Sequence, residues 1–406
     1  MKIWHPFTQE KTASLPVKIV KGKGAYLFDS NEKKYIDMVS SWWVNILGHS
    51  NKEIAEAIYK QAKTLEHVMF AGFSHEPGER LCQKLYEYLP SSLEYFFFSD
   101  DGSTAVEVAL KMAYQYFKNL GKNDRNMYIN LEGGYHGDTM GAMGAAGNNS
   151  KYHSIFAEFF FKTFSIDFPN SEKDEIVSLE KLKKFLKNFG ENVCAIIVEP
   201  LVQGAAGMRT YRSEFLDLIT KEVRKYGILV IFDEVMTGFY RTGSMFAVDK
   251  CVEKPDIICL SKGITGGFLP IALTITTEKI YESFLSNSWE KSFKHGHSYT
   301  ANPIGCAAAC KAIEILERRK TQQNIKEICD SHNEFLKRLS NVSNKRSLGT
   351  IVAFDVETSQ IAEKIKVSMF KKGIIIRPIG ASVYLIPPYC ISKTDLEYVY
   401  QEMVLH

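Results

Sequence analysis

Between about residues 95 and 275, short apolar runs alternate with stretches whose apolar residues recur at helical spacing. The runs are Tyr95-Phe96-Phe97-Phe98, Asn126-Met127-Tyr128-Ile129-Asn130, Cys194-Ala195-Ile196-Ile197-Val198, Ile228-Leu229-Val230-Ile231-Phe232 and Ile257-Ile258-Cys259-Leu260. Each reads as a strand buried on both faces, the pattern of parallel sheets. Strands alternating with helices predict an α/β fold: a mostly parallel sheet covered by helices, with ligands at the carboxyl ends of the strands. After Pro303 the pattern changes to a long helix, Ile304 to about Arg318, and a second helical stretch to about Leu339. A strand-rich tail follows at 349–356, 373–377 and 382–387, which predicts a separate small α+β domain. The first 45 residues hold a hairpin pattern, 24–29 followed by 34–38, and a lone hairpin is marginal in water, so it is expected to pack with the small domain. The expected divisions are 1–45, a large domain at 46–302 and the small domain at 303–406.

Composition narrows the class without naming it. At 406 residues, 45% hydrophobic and 24% charged, the chain has ample core for a globular protein. A net charge of +3, from 50 basic and 47 acidic side chains, gives no sign of a nucleic-acid partner. The Lys-rich stretch 180–187 reads as an amphipathic helix with a solvated face. The eight cysteines show neither Cys-x-x-Cys nor a His-paired zinc spacing, and read as reduced core residues of a cytosolic protein. Cys306 and Cys310 share a helix face, but their small apolar neighbours favour core packing, so no metal is expected. Residues 1–6 lack an apolar signal core and no run is long enough to span a membrane, so a cytoplasmic location is expected.

Two strands each deliver one charge at the end: Asp233 after Ile228–Phe232, and Lys262 after Ile257–Leu260. Either alone is usually a solvated strand end, and opposite charges placed so near a core are costly unless something sits between them. Pyridoxal phosphate needs both, a lysine amine for a Schiff base with its aldehyde and a carboxylate to keep its ring nitrogen protonated. Asp101-Gly102-Ser103-Thr104 follows the strand at 95–98 and opens a helix over 105–117; by itself it reads as a plain Ser or Thr helix cap, and its strand-to-helix position makes it a phosphate-cup candidate. Gly133-Gly134-Tyr135-His136-Gly137-Asp138-Thr139 is a glycine-bracketed loop whose aromatic ring suits stacking on a pyridine, with Asp138 toward the substrate side.

Ser261-Lys262-Gly263, the run 233–243 from Asp233 to Gly243, Gly102-Ser103 and Gly134-Tyr135-His136-Gly137 together resemble class III, fold type I, pyridoxal-phosphate aminotransferases, from Trp4 to about Tyr389. Within that class the chain is similar to the adenosylmethionine:8-amino-7-oxononanoate aminotransferases of biotin biosynthesis. The segments that carry this are 4–8, Ser40-Ser41-Trp42-Trp43, 67–70, 199–204 and Ile376-Arg377-Pro378. Two adjacent Trp in a strand would ordinarily face opposite sides, whereas in the family they wall the substrate pocket. The resemblance implies a homodimer with active sites at the subunit interface. It implies Lys262 as the catalytic lysine, Asp233 on the pyridinium nitrogen, Val235 and Tyr135 on the two ring faces, and Gly102, Ser103 and the partner subunit's Ser298 on the phosphate. Trp42, Trp43 and Gly296 would shape the substrate pocket, Arg377 would hold the substrate carboxylate, and Asp138 and Arg241 would support it. The implied reaction converts 8-amino-7-oxononanoate to 7,8-diaminononanoate with ping-pong kinetics, S-adenosylmethionine being the amino donor.

Two departures bear on the donor. Phe7 stands where adenosylmethionine users usually carry Tyr, and 295–299 reads His-Gly-His-Ser-Tyr in place of His-Gly-Pro-Thr-Phe. Both resemble the branch that takes lysine, while Trp42-Trp43 resembles the adenosylmethionine branch. Another class III enzyme acting on an ω-amino acid, an aminomutase, and a cofactor-binding regulatory protein are the competing readings. The last would carry a DNA-binding segment, and none is visible.

Overall fold

Buried apolar strands must pair to satisfy their backbone, and here seven of them form one sheet. In a computed structural model, which describes residues 3–147 and 153–405, they are β1 (Leu93–Ser99), β2 (Met127–Leu131), β3 (Thr163–Ile166), β4 (Val193–Val198), β5 (Leu229–Asp233), β6 (Ile257–Leu260) and β7 (Ala272–Thr277). Their order across the sheet is β1-β7-β6-β5-β4-β2-β3. Only β7 runs antiparallel to its neighbours; β6, β5, β4, β2 and β3 pair in parallel. The sequence pattern predicted five of these strands. β3 and β7 went unread because Thr163-Phe164-Ser165-Ile166 and Ala272–Thr277 mix hydroxyl and apolar residues.

Alternate residues of the central strands feed two cores. Leu229, Ile231, Ile257 and Cys259 pack beneath Ala105, Val108, Ala109 and Met112 of the helix Gly102–Asn119. Val230, Phe232, Ile258 and Leu260 face the other way, into the larger core shared with Phe215 and Ile219 of the helix Ser213–Arg224. Each such Ile, Leu or Phe contributes about 1.5–3 kcal/mol of burial, which fixes the strands and so the positions of their ends.

The helix Gly102–Asn119 starts three residues before the expected Ala105. Asp101 caps it in a reciprocal box, its Oδ1 accepting the Thr104 N–H at 3.1 Å while Thr104 Oγ1 accepts the Asp101 N–H at 3.0 Å. Beyond Pro303 come the helices Pro303–Leu316 and Arg319–Arg338, then an antiparallel sheet of Ser343–Leu348, Ile351–Asp355 and Ser382–Leu385. The short strand Ile374–Ile375 stands apart from it and pairs in parallel with Lys34–Asp37 of the N-terminal hairpin, Ile374 opposite Ile36. All eight cysteines are free thiols. Three depart from the expected burial: Cys82 and Cys329 are half-buried, and Cys390 is exposed, although a Cβ on Gly48 would meet its Sγ at 2.4 Å. Among the described residues no helix is long and apolar enough to cross a membrane.

Candidate active site

Parallel strands point their carboxyl ends one way, so groups far apart in sequence converge at one edge of the sheet. β5 ends on Asp233, β6 leads to Lys262, β4 to Glu199, β2 to the loop carrying Tyr135 and His136, and β1 to Gly102 and Ser103. All of these residues line one crevice of about 390 Å³, together with Val235 and Trp43.

Asp233 is buried, and a buried carboxylate needs donors. It has two: His136 Nδ1 donates to Oδ2 at 2.7 Å and the Val235 N–H to Oδ1 at 3.1 Å. His136 is itself buried, and its Nε2 has no hydrogen-bond partner among the described residues. Across the crevice, burial pulls the Lys262 amine below the usual lysine range, although Asp233, Glu199, Asp101 and Asp138 all oppose that fall. The neutral, nucleophilic amine is thereby more populated near neutral pH. Burial pushes the Glu199 carboxyl up to about 7, His136 working against the rise and Asp233 with it. Its oxygens accept the Tyr135 N–H at 3.0 Å and the Gly204 N–H at 2.9 Å, tying the Tyr135 loop to the β4 exit.

The start of the helix Gly102–Asn119 forms another wall. A Cβ on Gly102 would fall 2.5 Å from Val235 Cγ1, so only glycine brings this backbone so close. Asp101 occupies the Thr104 amide, and the N–H groups of Gly102 and Ser103 have no intrahelical acceptor. Such open amides at a helix start form an anion site. Gly137, at φ 124°, lies where any Cβ would meet Ser103 Oγ at 2.0 Å. Ser103 Oγ in turn accepts the Asp138 N–H at 3.2 Å.

A second compartment of about 450 Å³ adjoins the crevice, and Phe7, Trp42, Trp43, Asp138, Arg377 and Tyr384 help line it. The Arg377 guanidinium carbon lies 3.8 Å from the centre of the Trp42 ring, and Phe7 sets its edge to the same ring at 5.8 Å. A stacked guanidinium keeps its N–H edge for an in-plane carboxylate. Trp43 Nε1 donates to the Tyr384 hydroxyl at 3.1 Å, and the Lys262 Nζ sits 5.3 Å from the Trp43 ring centre. Tyr135 donates its hydroxyl to Asp138 Oδ2 at 2.7 Å. His153, 3.0 Å from Asp138 Oδ1, is the main cause holding the Asp138 carboxyl below the ordinary range, and Tyr135 adds to it.

The tryptophan pair does not lie in a strand. Ser40, Ser41, Trp42 and Trp43 all have positive φ, at 46°, 46°, 70° and 75°, a left-handed turn built without glycine. Left-handed backbone costs about 1–2 kcal/mol per residue with a Cβ, so surrounding contacts must impose it. Both rings thereby reach the same compartment, Trp43 buried and Trp42 at 38% exposure. Arg241 lines neither compartment; fully enclosed, it donates to the carbonyls of Trp43 at 3.2 Å and Pro387 at 3.1 Å. Gly296 and Ser298 also line neither compartment, and both are exposed on the segment before helix Pro303–Leu316.

Two residues of this constellation had no role assigned from sequence. Glu199 carries the signal that found Asp233, an apolar strand delivering one carboxylate at its end. His136 had no comparable signal, because its pairing with Asp233 exists only once β2 and β5 share a sheet.

The family described as aminotransferase class-III matches residues 7–405. A Synechococcus elongatus protein named adenosylmethionine-8-amino-7-oxononanoate aminotransferase is 44% identical, covering 98% of this chain and 96% of its own. The crystal structure of the Methanocaldococcus jannaschii protein of that name superposes with a TM-score of 0.93 at 37% identity, covering 99% of this chain and 96% of that one. A transaminase structure from the marine bacterium Virgibacillus gives 0.92 at 28% identity, over 99% and 95%.

Proposed function

The chain belongs to the aminotransferase class-III family, and on that premise we propose that it is a pyridoxal-phosphate transaminase of biotin biosynthesis. It aminates 8-amino-7-oxononanoate to 7,8-diaminononanoate and takes the amino group from S-adenosylmethionine. The observation that carries the reading is one crevice uniting Lys262, the donor-supplied Asp233 and the open amides of Gly102 and Ser103, with Arg377 stacked on Trp42 next door.

The residues present fit pyridoxal phosphate. Gly102 is pressed against Val235 where a larger residue would not fit, and Val235 and Tyr135 both line the crevice. When bound, the cofactor supplies a carbonyl carbon that takes up an amine and a protonated ring that stores an electron pair. Asp233, whose oxygens accept from His136 and the Val235 amide, would pair with the ring nitrogen. Gly102 and Ser103 hold the phosphate, joined by the partner subunit's Ser298 across a homodimer interface.

Lys262 moves the proton. Its burial-lowered amine is a base near neutral pH, standing between the cofactor crevice and the Trp43 ring. Arg377 grips the substrate carboxylate in bidentate fashion, and Trp42 and Trp43 exclude water from the aliphatic chain between carboxylate and reacting carbon. Asp138, anionic at the mouth, faces the substrate ammonium. Because donor and acceptor use one crevice in turn, kinetics are ping-pong.

A second donor has support in one observation: Phe7, packed on Trp42, offers an apolar edge and no hydroxyl to the compartment. Lysine is therefore the alternative donor. The deciding experiment supplies the cofactor-loaded protein with one donor at a time plus 8-amino-7-oxononanoate and measures diaminononanoate. Turnover with adenosylmethionine supports the reading, and turnover with lysine alone reassigns the donor. Turnover of ornithine or a simple ω-amino acid, with no diaminononanoate formed, overturns it.

A further inference from the structure

Beneath the left-handed turn lies a buried polar cluster that plays no part in the chemistry above. Asp37, the last residue of a hairpin strand and 1% exposed, receives three donors. Ser41 Oγ reaches its Oδ2 at 2.7 Å, His49 Nε2 the same oxygen at 3.0 Å, and the Val39 N–H its Oδ1 at 3.2 Å. Behind His49, Asn45 Nδ2 donates to Nδ1 at 3.0 Å, which leaves the ring proton on Nε2, toward Asp37. His49 is fixed in turn: its backbone exchanges hydrogen bonds with Gly24 at 2.7 and 3.0 Å, and Gly22 leaves room that any Cβ would close to 2.6 Å.

Asp37 and Asn45 grip the turn directly, and His49 supports both. Asp37 precedes Ser40 by three residues and holds Ser41 from below, and Ser40 Oγ bonds the Ile386 carbonyl at 2.7 Å from the opposite side. The Asn45 N–H returns to the Ser40 carbonyl at 2.9 Å. A backbone of four positive-φ residues persists only where such contacts over-determine it. What the turn displays is Trp42, the plate on which Arg377 lies.

We propose that Asp37, with His49 and Asn45 as its support, is a positioning group that holds the left-handed turn and thereby sets Trp42 beneath Arg377 for carboxylate substrates. Asp37 touches no reacting atom; it acts through the turn. The part concerning carboxylates rests on the proposed function, whereas the clamp itself rests on the hydrogen bonds alone.

The test uses cofactor-loaded protein in which the exposed Trp4 and Trp289 are changed to Phe, so that Trp42 and Trp43 are the remaining tryptophans. Near-UV circular dichroism reports the pair, and titration with nonanoate, a nine-carbon carboxylate, reports the compartment through tryptophan emission. Asp37→Asn presents an amide that serves only some of the three donors, so it is expected to weaken nonanoate binding about tenfold or more and to flatten the near-UV band, with cofactor absorbance retained. His49→Gln, whose Nε2–H replaces that of His49, is expected to stay within about threefold of the parent, while His49→Ala falls with Asp37→Asn. An unchanged near-UV band and unchanged nonanoate affinity in Asp37→Asn overturn the proposal. Should Asp37→Asn fail to fold, the His49 pair decides: equal behaviour of the Gln and Ala variants overturns it, and rescue by Gln upholds it. If the parent does not respond to nonanoate at all, the carboxylate reading of the compartment falls, and the near-UV band alone then judges the clamp.

Discussion

The crevice floor and the tryptophan wall meet where the Lys262 amine lies 5.3 Å from the Trp43 ring centre, yet they are built by opposite means. The floor stands on regular strands, and each charged group sits one or two residues past a run of fully buried apolar positions. Its support comes from another strand end of the same sheet, as in the 2.7 Å bond from His136, beyond β2, to Asp233, at the end of β5. The wall is a run of four left-handed residues held by Asp37 just before it and by distant parts of the chain: Ser40 is held by Ile386, 346 residues on, and Trp43 by Arg241, 198 residues on. The groups assigned the chemistry thus rest on the stiffest elements, and the groups assigned to grip substrate rest on a strained segment at the junction of the hairpin and the C-terminal strands. Substitutions in the wall are therefore expected to alter substrate range while leaving Lys262 and Asp233 in place.

The sharpest way to break that division is at the floor. Lys262→Ala is expected to lower turnover by about 10³-fold or more while leaving the near-UV signal of Trp42 and Trp43 in place. A lost tryptophan signal would mean that floor and wall are one unit. At the wall, Arg377→Lys keeps the charge but loses the planar fork, so KM for the keto acid should rise by roughly ten- to a hundredfold. The reaction of donor with cofactor, measured alone by cofactor absorbance, should change far less if that donor does not use Arg377. The smallest effect lies in Glu199, which joins the Tyr135 loop to the backbone after β4. Its folded value of about 7 stands above the ordinary 4.5, so its contribution to stability is full below about 4.5 and is lost as pH rises through about 7. Glu199→Gln should carry a constant penalty for a mismatched backbone bond, but its melting temperature relative to the parent should climb between pH 5 and 8, by on the order of 1–3 kcal/mol in stability terms. A flat difference across that range would show that Glu199 is ionised throughout.

The contrast between floor and wall also marks how much was legible in the chain. Asp233 and Lys262 stood out because a buried parallel strand announces itself as an unbroken apolar run, and a charge at its end breaks the run. Gly102 and Ser103 were readable for a similar reason, although the cap proved to be Asp101 and the helix began earlier. The left-handed form of the Ser-Ser-Trp-Trp turn was not legible in the chain. Neither serine nor tryptophan favours a left-handed backbone, and two of the three residues whose contacts impose it, Arg241 and Ile386, are far along the chain from Asp37 and the turn.

By itself, then, the sequence determined the alternation of strands and helices, the edge at which a ligand would sit and the charged residues presented there, because periodicity and burial are local properties of a chain. Only the tertiary structure decided which of those residues become partners, as His136 and Asp233 do, and how Trp42 comes to lie under Arg377. Hydrogen bonds and stacking depend on distances between segments brought together by the whole fold, and a left-handed backbone survives only where those distant contacts outweigh its local cost.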